Sequence, residues 1–147
     1  EGRLSSESKL KIRAMLREVT EIESIGDSCY NLARTINHKY RGNEDFTEKQ
    51  YSHIHQMFQL TDDALNQMVS LVEDEGHQVD VNKSFNLENE INNYRSQLKN
   101  QNVLDVNNKE YDYQMGVHYM DLIGECEKLG DYIVNVVEAR TDMKEKK

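Results

Sequence analysis

No proline interrupts the 147 residues, and only 7 are glycine. Proline removes a backbone donor and clashes with the preceding helical turn, and glycine costs about 1 kcal/mol against alanine in a helix interior. A chain without the first and nearly without the second has little to break long helices. Its β-branched residues are dispersed rather than gathered into short runs bounded by turn residues, so strands are not signalled. Hydrophobic residues make up 37% of the chain, enough for a narrow core between helices but thin for a two-layer α/β core. The length suits a single domain, residues 1–147.

Apolar periodicity divides the chain into four helical segments. The first is expected from Ser6 to Tyr40, with Ile12, Met15, Val19, Ile22, Gly26, Cys29, Ala33 and Ile36 as one stripe facing the core. Arg41-Gly42-Asn43 is its stop signal. The second starts near Thr47, where Thr-Glu-Lys-Gln reads as a capping box, and ends at Glu75-Gly76-His77. The third is expected over Val81–Asn102, with Phe85, Leu87, Ile91, Tyr94 and Leu98 inward. After a polar link, Asp105-Val106-Asn107-Asn108, the fourth runs from Lys109 to Lys144. Its stripe is Met115, Tyr119, Leu122, Ile123, Cys126, Leu129, Gly130, Ile133 and Val137. Short links between long amphipathic helices predict an all-α, antiparallel, up-down bundle of three to four helices, spectrin-like in plan.

The formal net charge of -9 repels phosphate backbones, so nucleic acid is excluded as a partner by this reading. Cations are favoured. Lys9, Lys11, Arg13 and Arg17 near one end, and Lys144, Lys146 and Lys147 at the other, read as solvated helix faces, with a surface that docks near an anionic membrane as the alternative. Cys29 and Cys126 fall at apolar positions and are expected to be buried, reduced thiols. No stretch approaches the roughly 20 apolar residues that span a bilayer.

Two stretches repeat. Glu21-Ile-Glu23-Ser-Ile-Gly26-Asp27-Ser-Cys-Tyr-Asn31 and Glu125-Cys-Glu127-Lys-Leu-Gly130-Asp131-Tyr-Ile-Val-Asn135 both fit Glu-x-Glu-x-(Ile/Leu)-Gly-Asp-x-x-x-Asn. The offset is a constant 104 residues, from Glu23 to Glu127 and from Asp27 to Asp131. Residues i, i+4 and i+8 stack along a helix, so Glu23, Asp27 and Asn31 form one oxygen-bearing column and Glu127, Asp131 and Asn135 a second. Two acidic columns face to face repel unless a cation lies between them. Four carboxylates on two helices suit a hard-cation or di-metal cage. The plainer alternative is rim carboxylates on solvated faces, bridging to Arg17, Arg34 or Lys128. Gly26 and Gly130 sit within the stripes, where a missing side chain allows close helix approach.

This motif resembles that of the PhoU family, regulators of bacterial phosphate uptake, whose helices carry Glu(Asp)-x-x-x-Asp in a setting like Glu-Arg-Ile-Gly-Asp-x-x-x-Asn-Ile-Ala. Glu88-Asn-Glu90-Ile91-Asn-Asn-Tyr94-Arg95 is similar to the family's middle-helix pattern. With one bundle rather than two, the chain is most similar to the PhoU-like domain at the C-terminus of Na+/phosphate cotransporter-related proteins. The resemblance implies metal binding, by iron, zinc, manganese or magnesium, with Glu23, Asp27, Glu127 and Asp131 as ligands and Asn31 and Asn135 as supplementary ones. It implies partnership with a phosphate transporter or the protein's own membrane domain. It also implies a cytoplasmic place at the inner face of the plasma membrane, as part of a longer protein; the chain opens at Glu1 rather than Met. A homodimer is a further partnership to be weighed. The sequence departs from the family pattern at Ser24 and Lys128, where Arg is common, and at Ser28 and Tyr132, where His is common.

Catalytic constellations are missing. No Glu-x-x-His, the helix motif of ferritin-like di-iron enzymes, occurs. There is no nucleophile elbow and no phosphate-cradling glycine loop. The chain is therefore read as a regulatory domain and not an enzyme. The alternatives are a carboxylate-bridged di-metal oxidase or metal store, and a metal-independent helical dimerisation module.

Overall fold

A computed structural model describes residues 3–40, 45–74 and 80–144. Helices fill nearly all of them: α1 Ser6–Tyr40, α2 Glu48–Glu73, α3 Val81–Asn107 and α4 Tyr113–Lys144. Among the described residues there is no strand, in agreement with the all-α expectation. The proposed stops at 41–43 and 75–77 lie outside the described residues.

Local chemistry sets the described boundaries. Thr47 caps α2 as the sequence implies: its side chain accepts from the Gln50 amide at 3.1 Å, and the Gln50 side chain accepts from the Thr47 amide at 2.9 Å. The polar link after the third helix is a correction. Residues 105–107 are helical, and α3 ends at Asn107 rather than Asn102. Asp105 is buried there, holding Gln101 at 2.8 Å and the Lys49 ammonium at 3.5 Å. A run that reads as a loop by polarity is helical because its acid is satisfied inside. Lys109 then turns the chain with φ 59, so α4 starts at Tyr113, not Lys109. The Asp112 carboxylate caps it by accepting from the Met115 amide at 2.8 Å.

Cross-helix contacts fix the directions. Glu21 meets Asn135 and Asn31 meets Glu125, so α1 and α4 are antiparallel. Gln56, a third of the way along α2, meets Tyr94 at the middle of α3, and Gln67 meets the residue before α3, an antiparallel hairpin. Ile91 lies over Gly130 and Asn102 reaches Gly116, so α3 and α4 are antiparallel too. The order is up-down-up-down. Helices α2, α3 and α4 contact one another around a core of Met57, Leu71, Ile91, Ile123, Leu129 and Ile133. Among the described residues, helix α1 packs on α4 alone.

The fourth-helix stripe is buried as expected, from Met115 to Val137. The first-helix stripe is not. Ile12, Met15, Val19, Ile22, Gly26, Cys29, Ala33 and Ile36 are all exposed, Val19 by 63%. The residues of α1 that turn inward are Ala14, Glu18, Ile25 and Ser28, with Glu21, Asn31 and Leu32 half-buried. Cys29 is accordingly exposed, against the expectation of two buried thiols; Cys126 is buried. The physical reason is that polar groups pair across the α1–α4 seam, Glu18 with Arg140, Glu21 with Asn135, and Ser28 and Asn31 with Glu125. That turns the apolar stripe outward.

Candidate functional site

The seam is built by the repeated motif. The Asn135 amide donates to Glu21 Oε2 at 3.1 Å, and the Asn31 amide donates to Glu125 Oε1 at 3.4 Å. Glu21 corresponds to Glu125 and Asn31 to Asn135 at the motif offset. The first and last residues of one copy therefore clasp the last and first of the other, a local pseudo-two-fold arrangement. Ser28 adds a bond to Glu125 Oε1 at 2.8 Å. Further along, Arg140 donates to the buried Glu18 at 2.7 Å, and Arg17 donates to Glu138 at 3.0 Å on the surface. Hydrogen bonds to charged groups contribute about 1.5–3 kcal/mol where water is excluded, and exposed ion pairs about 1 or less. The seam is held mainly by its inner pairs.

The middle residues of the motif point elsewhere. Glu127 faces α3, 3.4 Å from Arg95 Nε. Asp131 lies beside it near Glu88; burial first, and the Glu127 charge second, raise its carboxyl pKa, while the Glu88 hydrogen bond opposes them. Glu23 and Asp27 are exposed on α1. Each column's Asn thus reaches the first Glu of the other copy, outside the other column, and the cage of Glu23, Asp27, Glu127 and Asp131 is not assembled across the seam. Among the described residues no group of three His, Cys, Asp or Glu converges as a metal cluster. With Glu127 turned to a guanidinium, the arrangement does not fit a four-carboxylate cage.

Glycine shows how differently the two copies are used. A Cβ placed on Gly130 would lie 3.4 Å from Ile91 Cδ1, so close helix approach is realised there. A Cβ on Gly26 would meet nothing within 4 Å. Among the described residues, the expected close approach at Gly26 is not made. The same holds for the flanking stripe. Met15, Val19, Ile22, Cys29 and Ala33 are exposed, while their counterparts Tyr119, Ile123, Cys126, Ile133 and Val137 are buried.

Glu21 and Glu125, which make the clasp, escape a reading that looks for metal ligands. The signal is present in the sequence: the first Glu is as identical between copies as the second. Also unforeseen is the groove between α1 and α2. It has a volume of about 420 Å³ and is lined by Cys29, Ala33 and Ile36 from α1 and Phe58 and Leu65 from α2, with Leu129 of α4 beside them. No helix of the described residues is long and apolar enough to cross a membrane.

Comparison with known proteins gives one match. The family profile described as the PhoU domain matches residues 54–139, more than half of the chain. The match begins one turn and a half into α2 and runs through most of α4, covering the three mutually packed helices and leaving α1 outside. No curated protein and no solved structure matches the chain. The up-down bundle, the motif on α4 with its glycine under Ile91, and this match lead to one conclusion: the chain belongs to the PhoU domain family.

Proposed function

We propose that this domain regulates phosphate uptake by binding a phosphate transporter, or the membrane part of its own protein, at the cytoplasmic face of the membrane. The family match over the α2–α4 bundle carries the reading. The geometry supports a binding role: the Glu–Asn clasp joins α1 to the three-helix core and leaves its apolar face outward. In this reading the domain does no chemistry of its own. The tail domain of a Na+/phosphate cotransporter-like protein is the natural setting proposed for it.

Because the four carboxylates do not fit a cage, the mechanism routes nothing through an ion. A metal bound by the motif is a separate proposal, now confined to each column by itself. Metal analysis after purification without an affinity-tag metal tests it; the same content and the same stability for wild type and Glu23→Ala/Asp131→Ala would sink it.

The regulatory role is tested in cells that naturally carry the domain. Deleting it should change the rate of labelled phosphate uptake, or its response to phosphate starvation, and the wild-type domain should restore it. Uptake that is identical with and without the domain under both conditions would contradict the role.

A further inference from the structure

The first turns of α2 are tied to the bundle partly by polar side chains. His53 Nδ1 lies 3.2 Å from the Tyr119 hydroxyl of α4, and the rings of His53 and Tyr94 of α3 meet edge to face at 6.3 Å. Tyr119 is buried, with Phe46 edge-on to its ring, and His53 is half-buried. Among the described residues, His53 is the one hydrogen-bond partner of the Tyr119 hydroxyl. A buried hydroxyl proton needs an acceptor. Nδ1 serves as one only while the imidazole is neutral and carries its proton on Nε2. Protonation turns Nδ1 into a donor. The Tyr119 oxygen then accepts from it, but the hydroxyl's own proton is stranded in an apolar site.

We propose that the His53–Tyr119 pair is an acid-sensitive latch between the start of α2 and α4, closed while the imidazole is neutral and loosened when it takes a proton. The surrounding charges agree. Lys49, one turn earlier on α2, repels an imidazolium. Asp105 of α3, the acid that attracts one, is already held by Lys49 at 3.5 Å and by Gln101 at 2.8 Å. The other titratable groups around Tyr119 are Tyr94 and Tyr111, and burial raises the pKa of both, so neither supplies a negative charge. Burial first and Lys49 second lower the His53 pKa, with Asp105 opposing them. The folded chain thus holds this proton less tightly than the unfolded one. The latch's contribution is complete above the unfolded pKa, about 6.5, and is lost as pH falls through the lower folded value. Lys49 with Asp105, and Gln56 with Tyr94 at 3.0 Å, tie α2 to α3 without a histidine. Acid therefore weakens the α2–α4 joint in particular. The inference stands on this pair and its surroundings, independently of any role in phosphate uptake.

The test uses the whole chain and two readouts. Sequence-assigned NMR follows the ring protons of His53 through a pH titration, and the expected midpoint lies below about 6.5. Amide hydrogen exchange, corrected for the intrinsic pH dependence of the rate, then reports where the chain loosens. Between pH 7.5 and pH 5.5, protection over residues 50–58 should fall by about threefold or more relative to residues 91–98 of α3. His53→Gln should abolish that difference, because its side-chain carbonyl accepts from the Tyr119 hydroxyl at either pH. A His53 midpoint at or above 6.5 in the wild type would overturn the proposal, whether or not the variant folds. So would an equal loss of protection in the two segments, or the same selective loss in His53→Gln.

Discussion

Helix α1 and helix α4 carry the same eleven-residue motif and use it in two ways. Inward, they are alike: each contributes a Glu and an Asn to a reciprocal clasp. Outward, they are opposite. On α4 the glycine, the second Glu and the apolar stripe are covered by α3 and α2; on α1 the same positions face solvent. The comparison separates two jobs within one motif. The first and last residues join two helices, and the middle residues receive a further pair. A repeat in sequence therefore marks a shared seam, and it does not guarantee a shared environment.

Substitution at matched positions breaks this comparison most sharply at the stripe. Ile133→Ala should cost about 2–5 kcal/mol, because Ile133 is fully buried and leaves a cavity. Cys29→Ala, its counterpart, should change stability by about 0.5 kcal/mol or less. Urea denaturation measures both, and similar losses would mean that the α1 face is covered after all. At the seam the prediction reverses, and the two copies should behave alike. Asn31→Ala and Asn135→Ala should each cost about 1.5–3 kcal/mol, since each amide donates to a carboxylate. A double-mutant cycle of Glu21→Ala with Asn135→Ala should show coupling, whereas Glu21→Ala with Asn31→Ala should be near additive.

The glycines sharpen the difference further. Gly26→Ala should stabilise the chain by about 1 kcal/mol, the helix-propensity gain, since its new methyl meets nothing. Gly130→Ala should gain less or lose, because that methyl sits 3.4 Å from Ile91. Thermal melts of the two variants therefore separate an open face from a covered one. The smallest effect concerns Asp131. Its carboxyl pKa is raised in the folded chain, chiefly by burial and then by Glu127. The folded state thus holds the proton more tightly than the unfolded one. That contribution is fully present below the unfolded pKa, about 3.9, and is lost as pH rises through the folded value. Asp131→Asn should accordingly be slightly more stable than wild type at pH 7, with the advantage vanishing on acidification. A melt series from pH 3 to 7 follows it.

Much of the fold was legible. Missing proline, the capping box at Thr47 and the α4 stripe are local signals, and each appears where the sequence puts it. The link at 105–108 misled because Asp105 looks like a loop residue until Lys49 and Gln101, from two helices, are seen to satisfy it. The orientation of α1 misled for a related reason. Periodicity identifies an apolar face but not what covers it, and the polar set of Glu18, Glu21, Ser28 and Asn31 looks like a solvent face until its partners on α4 are in place. Spacing put Glu23 with Asp27 and Glu127 with Asp131, but only the fold assigns Glu127 to Arg95.

The two native cysteines report on the two outer faces directly. Cys29 lies on the open face of α1, and Cys126 lies in the core, where burial pushes its thiol up to about 12. Treated with a thiol-alkylating reagent at pH 8 under native conditions, the monomeric chain should take up one label rapidly, at Cys29, and a second only when denaturant is added. Two rapid labels, or none until the chain unfolds, would contradict the central claim that α1 and α4 share a seam but not a fate for their outer faces.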